Sequence, residues 1–187
     1  LADQIAPAVE NARLYQELKA STEEMGVIDS VASIVTSTLE IDQVYERFAS
    51  EVKKLVDFDR IGVTVIDHEA GTYSPTYLSG VNVGGREAKS VVPLGWSIME
   101  QVLRTGRPFL REDMADGGDL PGDPARVAAG LRSNVSVPLV SKGRITGTLG
   151  VYSGHVGAYG PREQAIMERL ADQVASAVEN ARLHADL

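Results

Sequence analysis

Three histidines, a run of aspartates and a pair of adjacent glycines are the parts of this 187-residue chain from which chemistry could be built. His68, His155 and His184 would act as metal ligands or general bases only with partners at ligand-type intervals, and neither one another nor any carboxylate stands at such spacing. They read as surface groups. Asp113, Asp116, Asp119 and Asp123 punctuate a loop rich in helix breakers. Their spacing departs from the alternating ligands around a fixed glycine that a calcium loop needs, so the loop reads as a solvated, flexible lid. Ser153 meets Gly154 directly, without the intervening residue of a nucleophile elbow. Gly84-Gly85 lacks the following Lys-Ser or Lys-Thr of a phosphate loop, and no His-Glu-x-x-His occurs. With no cysteine there is no thiolate nucleophile, disulfide, thiol redox switch or thioether-linked chromophore. Catalysis is therefore not expected, and no motif specifies a cofactor.

Binding is the remaining chemistry. Trp96 follows Gly95 at the expected start of a short helix, where free backbone donors would meet a ligand beside an aromatic wall. Tyr77, Met99, Phe109, Val135 and Val137 are candidate walls of the same pocket, because alternate strand residues share a face. Each has an ordinary core role as its alternative. The formal charge of −8 and scattered Lys and Arg disfavour a nucleic-acid surface. No apolar run approaches the roughly 20 residues that span a bilayer. A cytoplasmic location without membrane contact by this stretch is expected.

The chain opens on "LADQIAPAVENARL" and returns near its end to "LADQVASAVENARL", with twelve of fifteen positions identical between residues 1–15 and 170–184. A repeat this far apart has the period of a whole domain, so each copy is expected to be the closing helix of a module, the first closing a preceding one. Leu14, Leu18, Ser21, Met25, Ile28, Ala32 and Val35 alternate by four and three along a helix from about 8 to 37, a coiled-coil-like seam. Pro7 predicts a start or kink, and Ser21 with Glu24 matches a capping box that would allow a break before Gly26. Ile166, Leu170, Val174, Ala177 and Ala181 extend a similar seam along a last helix opened by Pro161. The two seams predict a parallel homodimer, with the alternative that they pack on the chain's own sheet. Leu14, Leu18, Met25, Ile28, Leu170, Val174, Ala177 and Ala181 are its expected contacts.

Between these ends, Asp42 caps a helix to about Val56, and "HEAG" (His68–Gly71) joins strands Arg60–Asp67 and Thr72–Gly80 into a hairpin. A strand end near Val91, a short helix over Trp96–Arg104 stopped by Gly106, a strand at Phe109, a short helix over Ala125–Leu131 and a second hairpin turning at Lys142-Gly143 follow. Hairpins dictate antiparallel pairing, giving an α+β sandwich of helices on a sheet.

The phrases "PLGWSIMEQVLRTGRPFLREDM" (Pro93–Met114), "LRSNVSVPLVSKGRITGTLGVYS" (Leu131–Ser153) and "EQAIMERLADQVASAVENARL" (Glu163–Leu183), in this order, resemble the GAF domain across about residues 25–187. The resemblance implies a central antiparallel sheet of five or six strands, terminal helices on one face, and short helices and loops over a ligand cavity on the other. It implies residues 1–24 as the exit helix of a preceding GAF domain and 25–187 as a sensor domain with a long signalling helix. It also implies a regulatory role in a multidomain bacterial signalling protein such as a histidine kinase, diguanylate cyclase or phosphatase. Its partners would be a second copy, adjacent GAF and output domains, and a small-molecule ligand. The alternative is a structural spacer without ligand. Cyclic-nucleotide-binding members carry Asn-Lys followed by Phe-x-x-x-Asp-Glu. Tyr159 and Glu163 echo the Phe and Asp, but Ser153-Gly154 stand near the Asn-Lys and Gln164 replaces the final Glu. Bilin-binding members and the GAF-fold methionine sulfoxide reductases use cysteine, which this chain lacks.

Overall fold

A computed structural model describes residues 2–35, 41–95, 97–116 and 120–185, with side chains described in these ranges except at 2–9, 11, 31–35, 41–44 and 176–185. The elements in order are α1 (Ala2–Val35), α2 (Ile41–Leu55), β1 (Arg60–Asp67), β2 (Thr72–Gly80), β3 (Val92–Pro93), α3 (Ile98–Thr105), β4 (Phe109–Arg111), α4 (Asp123–Ala128), β5 (Ser133–Ser141), β6 (Arg144–Ser153) and α5 (Pro161–Ala185). The six strands form one antiparallel sheet in the order β3-β2-β1-β6-β5-β4. The pairing of β1 with β6, which joins the two hairpins, is long-range and lies at the centre of the sheet.

Local chemistry sets the turns. Asp67 Oδ1 accepts from the Glu69 and Ala70 amides at 3.0 and 2.9 Å, and Gly71 supplies a φ of 63°, which turns β1 into β2. Lys142 and Gly143, at φ 51° and 76°, take the two left-handed positions that match the twist of the β5–β6 hairpin. Ser97 caps α3 by accepting from the Glu100 amide at 3.1 Å, one residue beyond the tryptophan, and Gly106 ends it at φ 66°. At α5, Gly160 precedes Pro161, and Glu163 Oε2 accepts from the Gly160 amide at 2.9 Å, half of a capping box.

The main core lies between the sheet and α1, α2 and α5. Ile61 and Val63 of β1, Val135, Val137 and Leu139 of β5 and Leu149 and Val151 of β6 are fully buried there against Phe48 and Val52 of α2 and Ile166, Met167, Leu170 and Val174 of α5. At ~1.5–3 kcal/mol for each large apolar side chain removed from water, this layer dominates the stabilising side of folding. Ile28 of α1 joins it, and Arg169 of α5 pairs with Glu24 of α1.

Several expectations change here. α1 is unbroken across Ser21–Gly26, with Thr22 Oγ1 donating to the Leu18 carbonyl at 2.8 Å, and it begins at Ala2 rather than near Pro7. The expected passage at residue 24 from an exit helix into the sensor domain falls within this one helix, as a helix that feeds straight into the domain would have it. Ile28, Leu170 and Val174 do not form an intersubunit seam: they are buried against the protomer's own sheet and helices. The same four-three spacing suits either partner, and the sheet takes it. Leu14, Leu18 and Met25 remain 49%, 66% and 56% exposed. The side chains of Ala177 and Ala181 lie outside the described residues.

Candidate functional site

The opposite face of the sheet is built differently. Where the helix-side positions of β1, β5 and β6 are Val, Ile and Leu, the alternate positions are Gly62 and Thr64, Ser136, and Thr148, Gly150 and Tyr152. Small residues keep this surface low. A Cβ on Gly150 would stand 2.8 Å from Ser136 Oγ, and one on Gly62 would stand 2.9 Å from Leu78 Cδ2. Over this floor lies a cavity of about 60 Å³, roofed by Ile98 and Met99 of α3 and walled by Tyr73, Pro75 and Leu78 of β2 with Val83 and Arg86 of the loop that follows. Arg60 at the start of β1 and Arg126 of α4 complete it.

Its polar groups are organised. Thr64 Oγ1 and Thr148 Oγ1 are hydrogen-bonded at 2.9 Å across β1 and β6, with Met99 Sδ 3.7 Å from the Thr64 hydroxyl. Asn134 Nδ2 donates to Ser136 Oγ at 3.2 Å beside them. Arg86 donates to the Tyr73 hydroxyl. Arg60 is 6% exposed; its guanidinium donates to the Val81 carbonyl and, at 2.9 Å, to the Arg86 carbonyl, tying the loop to β1. Burial, and the nearby charges of Arg126 and Arg86, hold the Arg60 guanidinium below its ordinary pKa. Arg126 lies over the Tyr152 ring at 5.4 Å and pairs with Asp123 at 3.3 Å, a carboxylate shared with Arg111 at 2.8 Å.

Of the expected pocket residues that are described, only Met99 lines the cavity. Tyr77, Val135 and Val137 face the terminal helices and are corrected to core. For Tyr77 the reason is a bulge: β1 pairs Val63 with Tyr77 but Thr64 with Pro75, so Thr76 is extra and the face changes between Pro75 and Tyr77. Tyr77 instead stacks on Tyr45 of α2, ring centroids 4.8 Å apart, and donates to Glu46 at 3.3 Å. Val135 and Val137 flank Ser136, and it is the serine that faces the cavity. Phe109 pairs with Ser136 on the cavity side but packs against Ile98, Val102 and Leu120 at its edge. Trp96 lies outside the described residues. Tyr159 is buried, its hydroxyl donating to the Asp57 carbonyl at 3.2 Å, and with Glu163 as a helix cap both echoes of the cyclic-nucleotide pattern have structural roles.

The aspartate loop is anchored at two of its described residues, Asp113 and Asp123. Arg132 grips Asp113 through both carboxylate oxygens, holding that carboxyl below its usual range, and Asp123 is the buried partner of Arg111 and Arg126; Asp119 lies outside the described residues. His68 Nε2 is 2.7 Å from the Ile145 carbonyl, a hairpin tie, and the His155 amide donates to Ser153 Oγ at 3.2 Å. The side chain of His184 is outside the described residues. Among the described residues no group of three or more His, Cys, Asp or Glu could hold a metal. None of their helices is long and apolar enough to cross a membrane.

The family model of the GAF domain matches residues 38–179. The chain belongs to the GAF family. Solved structures carry the same fold. A free methionine-R-sulfoxide reductase from Neisseria meningitidis, bound to its substrate, superimposes with a TM-score of 0.69 at 19% identity over 86% of this chain and 91% of that one. The GAF domain of a two-component sensor histidine kinase from Bacillus halodurans gives 0.68 at 21% identity over 79% and 99%. The phycocyanobilin-bound GAF domain of a cyanobacterial phytochrome gives 0.68 at 17% over 86% and 96%. GAF domains serve as signalling and ligand-sensing modules, and some relatives of this fold are enzymes.

The arginines, Thr64, Thr148, Ser136 and Tyr73 are site residues that the sequence pattern did not single out. The signal was present in "RIGVT", "NVS" and "TLGVY", where small or polar residues alternate strictly with Val, Ile or Leu.

Proposed function

We propose that this GAF domain is a regulatory module of a multidomain bacterial signalling protein, sensing a small molecule in the cavity between the sheet and α3 and relaying its state through α1 and α5. One observation carries the reading: a single sheet has a hollow polar face under α3 and α4 and a dry face against α1, α2 and α5. A ligand that moves β1 or β6 thereby acts on the packing of both terminal helices, since packed layers shift as units. The absence of cysteine supports regulation over the thiol chemistry of the reductases. The repeated terminal phrase supports a tandem arrangement with another GAF domain, and the polarity of the chain supports a cytoplasmic setting.

Dimerisation, in this proposal, runs through α1, where among the described residues Leu14, Leu18 and Met25 leave an exposed apolar line. Leu18→Glu is expected to convert a concentration-dependent dimer to monomer by light scattering while leaving melting of the domain nearly unchanged. A wild-type chain that stays monomeric at all concentrations refutes this interface. The second reading, a structural spacer, is favoured by the cavity's small volume. Screening metabolites by thermal shift separates the two, because a true ligand raises the midpoint with the logarithm of its concentration and a spacer gives no saturable response.

A further inference from the structure

The cavity's charge is its unusual property. The chain carries a net charge of −8, yet three arginines and no carboxylate line this space among the described residues. Arg60 is spent on backbone carbonyls and positions the loop. Arg86 and Arg126 converge from that loop and from α4 on the same side of Gly122, whose hypothetical Cβ would lie 2.5 Å from Arg86 Nη2 and 2.6 Å from Arg126 Nη1. The two like-charged forks are thus held side by side at the wall, Arg126 with Asp123 and Arg86 with only the neutral Tyr73 hydroxyl, and neither Arg60 nor Arg86 is ion-paired among the described residues. Asp123 is further shared with Arg111, so the one carboxylate paired with Arg126 is divided between two guanidinium groups. Glu87, beside them in sequence, accepts from the Gly85 amide at 3.1 Å, and its charge acts on Arg60 rather than pairing with Arg86 or Arg126. Gathering cations in a half-buried space is unfavourable unless an anion completes the set, and paired planar forks match a carboxylate or phosphate by two-point hydrogen bonding.

Resting on the sensing reading above, we propose that the ligand is a small oxyanion, a carboxylate or phosphate of a few heavy atoms, held at its charged end by Arg86 and Arg126. The remainder lies over Gly62 and Gly150 toward Thr64, Thr148 and Met99. Size follows from volume: at ~10–15 Å³ for each water-sized occupant, about 60 Å³ admits only a few.

The test uses the whole chain carrying ¹³C-methyl methionine, with Met99 assigned through Met99→Leu. It is titrated at constant ionic strength with inorganic phosphate, acetate and lactate, and with the neutral acetamide and lactamide. The expected result is saturable movement of the Met99 methyl resonance by an anion and not by its amide. Binding should weaken roughly tenfold or more in Arg86→Gln and in Arg126→Gln, the loss of one charge-assisted contact, and be partly restored in Arg86→Lys. Phosphate alone moving Met99 identifies a phosphate ligand, and acetate or lactate alone a carboxylate. If the amides bind as well as the acids, or both Gln variants fold and keep full anion affinity, the oxyanion proposal fails while the sensing cavity stands. If no probe moves Met99, the oxyanion proposal fails, and the sensing reading then stands or falls on the metabolite thermal-shift screen.

Discussion

Leu170 decides whether the repeated phrase belongs to the protomer's core or to an interface. It is fully buried among Ile28, Ile166 and the sheet residues of the main core. Truncation to Ala removes three carbons from a site enclosed by helix and sheet. Transfer and cavity terms together put such losses at about 3 kcal/mol. For a domain of this size each kcal/mol moves the midpoint by roughly 2–4 °C, so Leu170→Ala should melt about 6–12 °C below wild type. The assay is calorimetry or circular dichroism at several protein concentrations spanning two decades, with urea unfolding as a check that the midpoint falls at unchanged slope. Because the contacts are internal, the difference between variant and wild type should be the same at every concentration. A variant that melts within ~1 kcal/mol of wild type but loses its dimer by light scattering would refute this internal packing and return Leu170 to an intersubunit seam.

Gly147→Ala should be among the most damaging single changes: its Cβ would stand 2.0 Å from the Thr64 carbonyl oxygen, a backbone atom, forcing β6 from β1 and lowering urea stability by more than ~3 kcal/mol or preventing folding. The Tyr77 phenol is raised to about 12, chiefly by burial. Protonated tyrosine is favoured in the folded state, so the stability it contributes is full below its unfolded pKa of about 10 and is lost as pH rises toward about 12. Ultraviolet titration should show two late-ionising phenols, Tyr77 and the more deeply buried Tyr159, and Tyr77→Phe should remove the earlier of them. The Asp113 carboxyl is held below the usual carboxylate range, first by hydrogen bonds from Arg132. Its contribution is present above the unfolded pKa and fades as pH falls through the folded one, so the stability gap between wild type and Asp113→Asn should be constant near neutrality and close below about pH 4.

What the sequence disclosed follows the range of each signal. Hairpin turns at Asp67–Gly71 and Lys142-Gly143, the αL stop at Gly106 and the proline at the head of α5 act within a few residues, and all stand where their chemistry requires. The β1–β6 pairing was not legible, because it joins segments far apart in the chain and no local residue names its partner. The site was hidden for a different reason. Large apolar residues were the expected pocket walls, but in a sheet with a dry face and a hollow one such residues belong to the dry face, and the hollow is marked by what is missing from it: side chains at Gly62 and Gly150, and bulk at Ser136 and Thr148. Even strict alternation fails at Tyr77, since one extra residue at Thr76 reverses the face of everything beyond it. The arginines are less legible still, arriving from a strand start, a loop and a short helix that share no periodicity, and only the folded chain brings Arg60, Arg86 and Arg126 to one wall. Binding sites in such domains are better sought in strands whose alternate positions are emptied or hydroxylated, and then in the charged residues that the connecting loops carry over them.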